Sequence, residues 1–295
     1  MTPAQLLQRL DGGPLWMDGA MGSELIARGL AVGRAPEFWL FEHPERVAQV
    51  HAAYWRAGAD IVQTNTFGGT PVRLEQCGLG GRCDEVNRTA ARIARDAVSD
   101  GVLVAGNVGP TGLFLPPKGT ADPEDFGPQF AAQAHALAAG GVDLLSIETM
   151  YDSREALAAV RAAAETGLAV MASMMFDQTD DGFATFAGDR PQAALQALVD
   201  AGATVVGFNC ALQAGPMLGL LAQVRAAVTA PILCQPNGGL PRQTPEGFVY
   251  DAQPQVFARQ AARLFGGGAS VVGGCCGIGP DCIAAAQAGR TGPGS

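Results

Sequence analysis

Three cysteines have the spacing of a metal site. Cys275 and Cys276 are adjacent and framed by glycines in the segment VGGCCG, and Cys210 closes the apolar run GFNC earlier in the chain. Adjacent side chains on a regular strand point to opposite faces, so both thiols reach one ion only if the backbone turns sharply, which glycine permits. Three thiolates suit Zn²⁺ or another soft ion. Because structural zinc sites have four protein ligands, three predict a catalytic site with an open position.

The alternative is a set of buried, unreactive cysteines, which is the better interpretation of a lone cysteine but a poor one for a glycine-framed pair. The other four cysteines carry weaker signals. Cys77 and Cys83 lie in the glycine-rich segment QCGLGGRC and are interpreted as plain loop thiols, with a small redox or metal pair as the alternative. Cys234 is predicted in the core, and Cys282 is predicted to pack at the start of the last helix.

Eight short apolar runs alternate with longer helical patterns. Near-continuous apolar strands are typical of a parallel sheet buried on both faces. Eight strand–helix units favour a closed barrel over an open sheet, and no Gly-x-Gly-x-x-Gly turn follows the first strand. We therefore predict a single (β/α)8 TIM barrel over residues 1–288 and a flexible tail at 289–295. The predicted strands, the first with its exit loop, span 15–22, 60–67, 102–110, 142–149, 168–176, 204–210, 230–237 and 269–277.

Polar residues close these otherwise apolar strands. The active site of an α/β barrel lies at the C-terminal ends of its strands, so these residues are candidates for one site. Helix capping is the alternative, and it suits Thr149 and Asp152, which precede the helical segment SREALAAV. In chain order the strand-end residues are Asp18, Thr64, Asn65, Thr66, Asn107, Glu148, Thr149, Asn209, Cys210, Pro236, Asn237, Cys275 and Cys276.

Composition narrows the class of protein. The net charge of −9 disfavours nucleic acid and anionic membrane surfaces as partners. No apolar run is long enough to span a bilayer, and the first residues do not resemble a signal peptide, so we expect a cytoplasmic protein. A Schiff-base lyase or aldolase is a further alternative, but Lys118 lies in a proline-rich loop and no lysine closes a strand.

Seven motifs, in this order, resemble those of the homocysteine S-methyltransferase family from about residue 14 to 288: DGAMGSEL, QTNTF, AGNVGPTG, IETMYDSREA, GFNCAL, PNGGLP and VGGCCG. The resemblance is strongest to the homocysteine-binding module of cobalamin-dependent methionine synthase. Betaine–homocysteine and S-methylmethionine–homocysteine methyltransferases share the same core motifs. The resemblance implies a zinc-dependent enzyme that methylates the thiolate of homocysteine to give methionine.

The resemblance also implies roles for particular residues. The zinc ligands are Cys210, Cys275 and Cys276, and Asn237 fills the fourth position before substrate binds. The substrate-binding residues are Asp18, Gly19, Ala20, Thr64, Asn65 and Glu148. Among these, Asp18 and Glu148 hold the ammonium group of homocysteine, and backbone N–H groups between Gly19 and Gly22 suit its carboxylate.

The sequence leaves the methyl donor open among betaine, S-methylmethionine, another sulfonium and a methyl-corrinoid protein. The segment 174–189 lacks the family's usual Ser/Thr-rich pattern. A small onium donor needs aromatic faces for cation–π contact. Only Phe67, Tyr151 and Phe176 lie just past strand ends, and Tyr250 is predicted in an outer loop. We therefore expect a separate corrinoid protein as the donor. The alternative function is a zinc-binding barrel that serves a corrinoid pathway as an accessory protein without turning over homocysteine.

Overall fold

The computed structural model describes residues 1–239, 242–244 and 247–290 of the chain. Twelve strands are present within these residues. They are β1 (Leu15–Trp16), β2 (Ile61–Gln63), β3 (Leu103–Val108), β4 (Leu144–Met150), β5 (Val170–Met174), β6 (Asp177–Thr179), β7 (Gly182–Ala184), β8 (Val205–Asn209), β9 (Ile232–Gln235), β10 (Arg242–Thr244), β11 (Gly247–Val249) and β12 (Val271–Val272).

Twelve α-helices accompany the strands in the same part of the chain. They are α1 (Pro3–Asp11), α2 (Met21–Ala27), α3 (Trp39–Glu42), α4 (Pro44–Arg56), α5 (Pro71–Cys77), α6 (Cys83–Ala97), α7 (Phe126–Ala139), α8 (Ser153–Ala164), α9 (Pro191–Asp200), α10 (Ala214–Arg225), α11 (Pro254–Gly266) and α12 (Pro280–Arg290). Two short 3-10 helices, Pro36–Phe38 and Pro123–Asp125, precede α3 and α7.

Eight of the strands form one parallel sheet that closes on itself. The spatial order is β1-β12-β9-β8-β5-β4-β3-β2, and a parallel bridge between Met17 and Ile61 joins the two end strands. The closed sheet with its outer helices is the predicted (β/α)8 barrel, and each predicted strand segment overlaps one of its strands, with β4 running one residue past its predicted end at residue 149. The other four strands form two antiparallel hairpins, β6–β7 and β10–β11, in the loops that follow β5 and β9.

The barrel has two apolar layers because its strands alternate inward and outward side chains. Outward residues such as Val104, Ile147 and Phe208 pack under the helices in a large buried cluster. Inward residues such as Leu144 and Val205 form a smaller cluster inside the barrel. Helix α1, which the sequence patterns did not predict, places its fully buried Leu6 in that inner cluster and so plugs the N-terminal end of the barrel.

The structure fixes the boundaries of helices α7 and α12. Helix α7 begins at Phe126, and Pro128 lies in its first turn, where a missing N–H leaves no bond unmade. Helix α12 extends to Arg290, two residues into the predicted tail, and residues 291–295 lie outside the described part of the chain. No helix within the described residues is long and apolar enough to cross a membrane.

Candidate active site at the C-terminal end of the barrel

The three thiols of Cys210, Cys275 and Cys276 come together, with their sulfur atoms all within 4.8 Å of one another. Cys210 directly follows β8, and the cysteine pair follows β12. Strand β9 lies between them, and the loop after it ties the two segments together. The N–H of Cys275 donates to Pro236 O at 2.9 Å, and the N–H of Gly238 donates to Cys276 O at 2.8 Å. The barrel topology thus converts two distant segments into one thiol cluster.

Unusual backbone geometry accompanies the cluster. Cys210 and Ala211 have φ angles of 59° and 45°, in the left-handed region that non-glycine residues rarely adopt. Gly277 has a φ of 79°, and a Cβ there would overlap the side chain of Tyr250. A Cβ on Gly274 would overlap the side chain of Ile278. The glycines around the pair therefore allow both the turn and the close packing that bring two adjacent thiols to one point.

The thiols strongly affect one another's ionisation. Hydrogen bonds from the Cys275 and Cys276 thiols hold the pKa of Cys210 far below its usual range. The hydrogen bond with Cys210 raises the pKa of Cys275, and burial raises it further. Cys210 is thus the thiol that ionises most readily, and a bound divalent cation would deprotonate all three, because coordination deprotonates a thiol.

The donor set fits a tetrahedral soft metal ion. Zn–S bonds of about 2.3 Å imply sulfur–sulfur distances of roughly 3.8 Å, which is compatible with three sulfur atoms that all lie within 4.8 Å of one another. Asn237 lies beside it, with Nδ2 3.9 Å from Cys210 Sγ, and its buried Oδ1 has no hydrogen-bond partner among the described residues. Three sulfurs with an uncommitted amide oxygen nearby match a site with three protein thiolates and a fourth position for an exchangeable ligand.

Two buried carboxyl groups lie inside the same end of the barrel. Asp18 is 1% exposed and accepts a hydrogen bond from the Gln63 N–H at 2.7 Å, while its Oδ1 has no partner in the described structure. Glu148 is 8% exposed and accepts from Asn107 Nδ2 at 2.5 Å and from Asn209 Nδ2 at 3.0 Å. Within the described residues, no Lys or Arg forms an ion pair with either carboxyl group.

Burial makes both carboxyl groups hard to ionise. It raises the pKa of Glu148 to about 7, with a smaller contribution from the nearby Cys210. It also raises the pKa of Asp18 well above its usual range, and the charge of Glu148 adds to the effect. Two buried carboxyl groups without a basic partner are suited to a cationic ligand, which would favour their ionised forms.

The other predicted substrate-binding residues are already engaged within the protein. Thr64 Oγ1 lies 2.6 Å from Thr66 Oγ1 and accepts from the Asn107 N–H, and Asn65 Nδ2 donates to Pro36 O at 2.9 Å. A Cβ on Gly19 would overlap Ile278 O, which also accepts the Ala20 N–H at 3.0 Å. These residues shape the loops around the site, and the first-turn N–H groups of α2, which begins at Met21, have no intrahelical acceptor.

Several sequence-based expectations were wrong in detail. Asp152 caps α8 as predicted, but Thr149 does not; it has a φ of 61° and its hydroxyl accepts from Asn209 Nδ2 at 2.8 Å. Tyr250 does not lie in an outer loop away from the site: it packs against Gly277, and it lies close enough to Cys276 to lower the pKa of that thiol.

The remaining cysteines lie outside the cluster. Cys77 ends α5 and Cys83 begins α6, so the two thiols flank the loop instead of lying within it, and they donate to Leu74 O and Gly69 O. Cys234 is fully buried in the core and Cys282 packs in α12, as predicted. Among the described residues, only the three predicted ligands meet as a metal-binding group.

An aromatic cluster at the rim of the barrel was missed by the sequence analysis. Phe114 stacks on Tyr151 with ring centroids 5.5 Å apart, and Phe186 meets both rings edge-on. Lys118 Nζ lies 3.7 Å from the centre of the Phe186 ring. The loop after β3 carries Phe114 and Lys118, and Phe186 follows the β6–β7 hairpin. Both segments are loops without a strand or helix pattern, so periodicity could not place their rings beside Tyr151.

A (β/α)8 barrel that gathers three thiols and two buried carboxyl groups at its C-terminal end has the architecture of a barrel enzyme with a candidate metal site. Its sequence matches the model of the homocysteine S-methyltransferase family over residues 15–288, and the chain belongs to that family. Methylation of homocysteine is therefore its activity, and the fold and the family expected from the sequence motifs are both confirmed.

Solved structures agree with this assignment. The metallated form of the homocysteine methyltransferase MmuM from Escherichia coli is 26% identical, with a TM-score of 0.81 over 97% of this chain and 99% of that one. The apo form of the same enzyme is 25% identical, with a TM-score of 0.73 over 93% of this chain and 95% of that one. The carboxyl transferase domain of Rhizobium etli pyruvate carboxylase is 15% identical with a TM-score of 0.57, a likeness of fold alone.

Proposed function

We propose that the chain holds Zn²⁺ on Cys210, Cys275 and Cys276 and transfers a methyl group to the thiolate of homocysteine, giving methionine. The observation that carries the proposal is the placement of three thiols within 4.8 Å of one another beside two buried carboxyl groups without basic partners. The similar E. coli methyltransferase has a metallated form, which supports metal binding by this chain as well. Zinc fits because it accepts three thiolates and a fourth, exchangeable ligand.

The protein residues orient the amino-acid end of the substrate. Asp18 and Glu148 would bind the ammonium group, because a cation is the ligand that allows both to ionise at neutral pH. The free first-turn N–H groups of α2, immediately after Gly19 and Ala20, are suited to the carboxylate. Thr64 and Asn65 shape the floor between them through their bonds to Thr66 and Pro36.

The reaction needs a sulfur nucleophile at neutral pH. A free thiol has a pKa of about 8.5 and is mostly protonated at pH 7. When bound, the metal ion favours the deprotonated substrate sulfur, and the three cysteine thiolates offset the metal's positive charge so that this sulfur keeps its electron density. The thiol proton leaves to solvent, a carbon–sulfur bond forms, and the bond between the methyl carbon and the donor breaks with its electron pair on the donor.

The donor is the open half of the proposal. The sequence favoured a separate methyl-corrinoid protein because the aromatic surface near the strand ends looked thin. The cluster of Phe114, Tyr151 and Phe186 adds aromatic surface that the sequence analysis did not count. The Lys118 ammonium group already lies against this cluster, which supports a small onium donor such as betaine or S-methylmethionine. The corrinoid protein that the sequence favoured stays the first candidate. The aromatic cluster adds a small onium compound as the second.

One assay tests both halves. Purified enzyme is loaded with zinc and given homocysteine with betaine, S-methylmethionine or a methylated corrinoid protein, and methionine is measured. Cys77→Ala serves as the matched control for substitutions of Cys210, Cys275 or Cys276, since Cys77 is a half-buried thiol outside the cluster. Multiple turnover with a small onium compound in the absence of corrinoid would replace the corrinoid candidate. A chain that binds zinc but makes no methionine from any donor would instead be an accessory protein, and the proposal would fail.

A further inference from the structure

Asn209 is the point where the amino-acid and metal parts of the site touch the same side chain. It is 1% exposed and is the last residue of β8, directly before Cys210. Its Nδ2 lies 2.8 Å from Thr149 Oγ1, 3.0 Å from Glu148 Oε2 and 3.8 Å from Cys275 Sγ. One amide nitrogen therefore donates toward both the carboxylate expected to bind ammonium and a thiol of the metal cluster.

The rest of the Asn209 amide is fixed by acceptor bonds. Oδ1 accepts from the Thr149 N–H at 2.8 Å and from Ser173 Oγ at 2.9 Å, which identifies the amide oxygen. The amide nitrogen therefore faces Thr149 Oγ1, Glu148 and Cys275. A group that accepts on one side and donates on the other keeps a single orientation. This network joins β4, β5 and β8 with the loop after β12.

Asn209 also lies between two strained backbone positions. Thr149 and Cys210 have φ angles of 61° and 59°, and Asn209 bonds the first directly and precedes the second. Strained residues persist only where surrounding bonds hold them. Loss of the amide would therefore release both the register shift in β4 that contains Glu148 and Thr149 and the turn that presents Cys210.

We propose that Asn209 is a positioning residue that couples amino-acid binding to the metal ligands. Occupation of the Glu148 subsite by an ammonium group adjusts the Asn209 amide, and the change reaches Cys275 through the same nitrogen. Partners one step removed from a metal commonly change its affinity by about 10–100-fold when removed, and we place Asn209 within that range. The inference rests on the proposed function, because it takes Glu148 as the ammonium site and the three cysteines as ligands.

The test uses Co²⁺ in place of zinc, since thiolate–cobalt absorption reports on the ligands themselves. L-2-aminobutyrate is the probe for the amino-acid subsite because it is homocysteine without its sulfur and cannot bind the metal through a thiolate. In the wild-type protein, L-2-aminobutyrate should shift the thiolate–cobalt band. In Asn209→Ala the shift should disappear, metal affinity should fall about tenfold or more, and the KM for homocysteine should rise more than kcat falls.

Asn107→Ala is the matched control, because Asn107 donates to the other oxygen of Glu148 and has no bond to a cysteine. It should raise the KM for homocysteine while leaving metal affinity and the cobalt band unchanged. A wild-type protein whose cobalt band ignores L-2-aminobutyrate, even though the compound competes with homocysteine, would overturn the coupling without needing any variant to fold. So would wild-type metal affinity in a folded Asn209→Ala. Absence of cobalt–thiolate absorption in the wild type would instead refute the proposed function.

Discussion

The two ends of the barrel interior differ in chemistry although the same strands build both. The lower core is apolar and consists of Leu6, Leu15, Met17, Ile61, Ala105, Leu144, Ala169, Met171, Val205, Leu233 and Val271. The upper layer is polar and consists of Asp18, Gln63, Asn107, Glu148, Ser173, Asn209 and Gln235, all buried. On most strands the change takes one step of two residues, for example from Ile61 to Gln63 and from Leu233 to Gln235.

The difference separates stability from function within one fold. The lower core consists of apolar side chains and gains free energy from their burial. In the upper layer, Asp18 Oδ1, Asn107 Oδ1 and Gln235 Oε1 have no hydrogen-bond partner among the described residues. A buried unpaired polar atom costs about 1–3 kcal/mol unless water or a ligand meets it. The upper layer is thus suited to binding a polar molecule and contributes less to folding.

The largest expected effect comes from removing metal ligands next to the upper layer. The double variant Cys275→Ala, Cys276→Ala should lose most of its bound zinc and more than about 100-fold in methionine formation, since even outer partners are worth about 10–100-fold. Metal analysis and the methionine assay measure both losses. Full zinc retention would contradict the assignment of the ligands.

The second prediction concerns the lower core. Leu6→Ala removes the fully buried plug and should lower the free energy of unfolding by about 2–5 kcal/mol, because the cavity it leaves sits between rigid strands. Homocysteine KM should stay unchanged in the folded fraction. Leu7→Ala is the matched control, since Leu7 is 41% exposed and should change stability little. A loss of substrate affinity in Leu6→Ala would show that the two ends are not independent.

The third prediction separates function from stability at one residue. Glu148→Gln should raise homocysteine KM by roughly 10–100-fold, the worth of a hydrogen bond to a charged group. The pKa of Glu148 is about 7 in the folded protein, whereas that of an ordinary glutamate is 4.5. Ionisation of this buried carboxyl group therefore lowers the free energy of unfolding as the pH rises from 4.5 through 7, by up to about 3 kcal/mol. At pH 8 the variant should therefore be more stable than the wild type by about 1–3 kcal/mol.

Denaturant unfolding with and without the substitution measures this gain. Glu155→Gln is the control, because Glu155 is also a buried carboxyl group with a raised pKa but bonds Thr111 instead of the site asparagines. It should leave homocysteine KM unchanged. A Glu148→Gln variant that is destabilised at pH 8 would indicate that the carboxylate is needed for folding.

The smallest expected effect is a pH dependence of amino-acid binding. Since the pKa of Glu148 is raised to about 7, its carboxylate is mostly neutral at pH 5.5 and mostly ionised at pH 7.5. Affinity for L-2-aminobutyrate should therefore rise by roughly tenfold over this interval. The compound has no thiol, so the titration of homocysteine sulfur does not contribute. Equal affinity at both pH values would argue against Glu148 as the ammonium site.

Much of this arrangement could be predicted from the sequence. The apolar runs and their polar ends predicted the barrel, and the glycine-framed cysteines predicted the thiol cluster that the structure brings together. Asn209 was noted as a strand-end residue but given no role, because a hydrogen bond to Glu148 depends on three-dimensional spacing. Tyr250 was misplaced and Phe186 was missed for a related reason. Each follows a hairpin in a loop, and contacts between segments distant in sequence decide how such a loop packs.

The position of β12 next to β1 gives metal binding a place in the order of folding. Strand β12 closes the sheet against β1, and its following turn delivers two of the three thiols. A chain emerging from the ribosome has Cys210 long before Cys275 and Cys276, so the ion cannot be held by all three until the last strand has been made and has found the first. Metal held by all three thiols, as proposed above, would therefore be a signature of completed barrel closure, and its uptake during synthesis would mark the moment when that closure occurs.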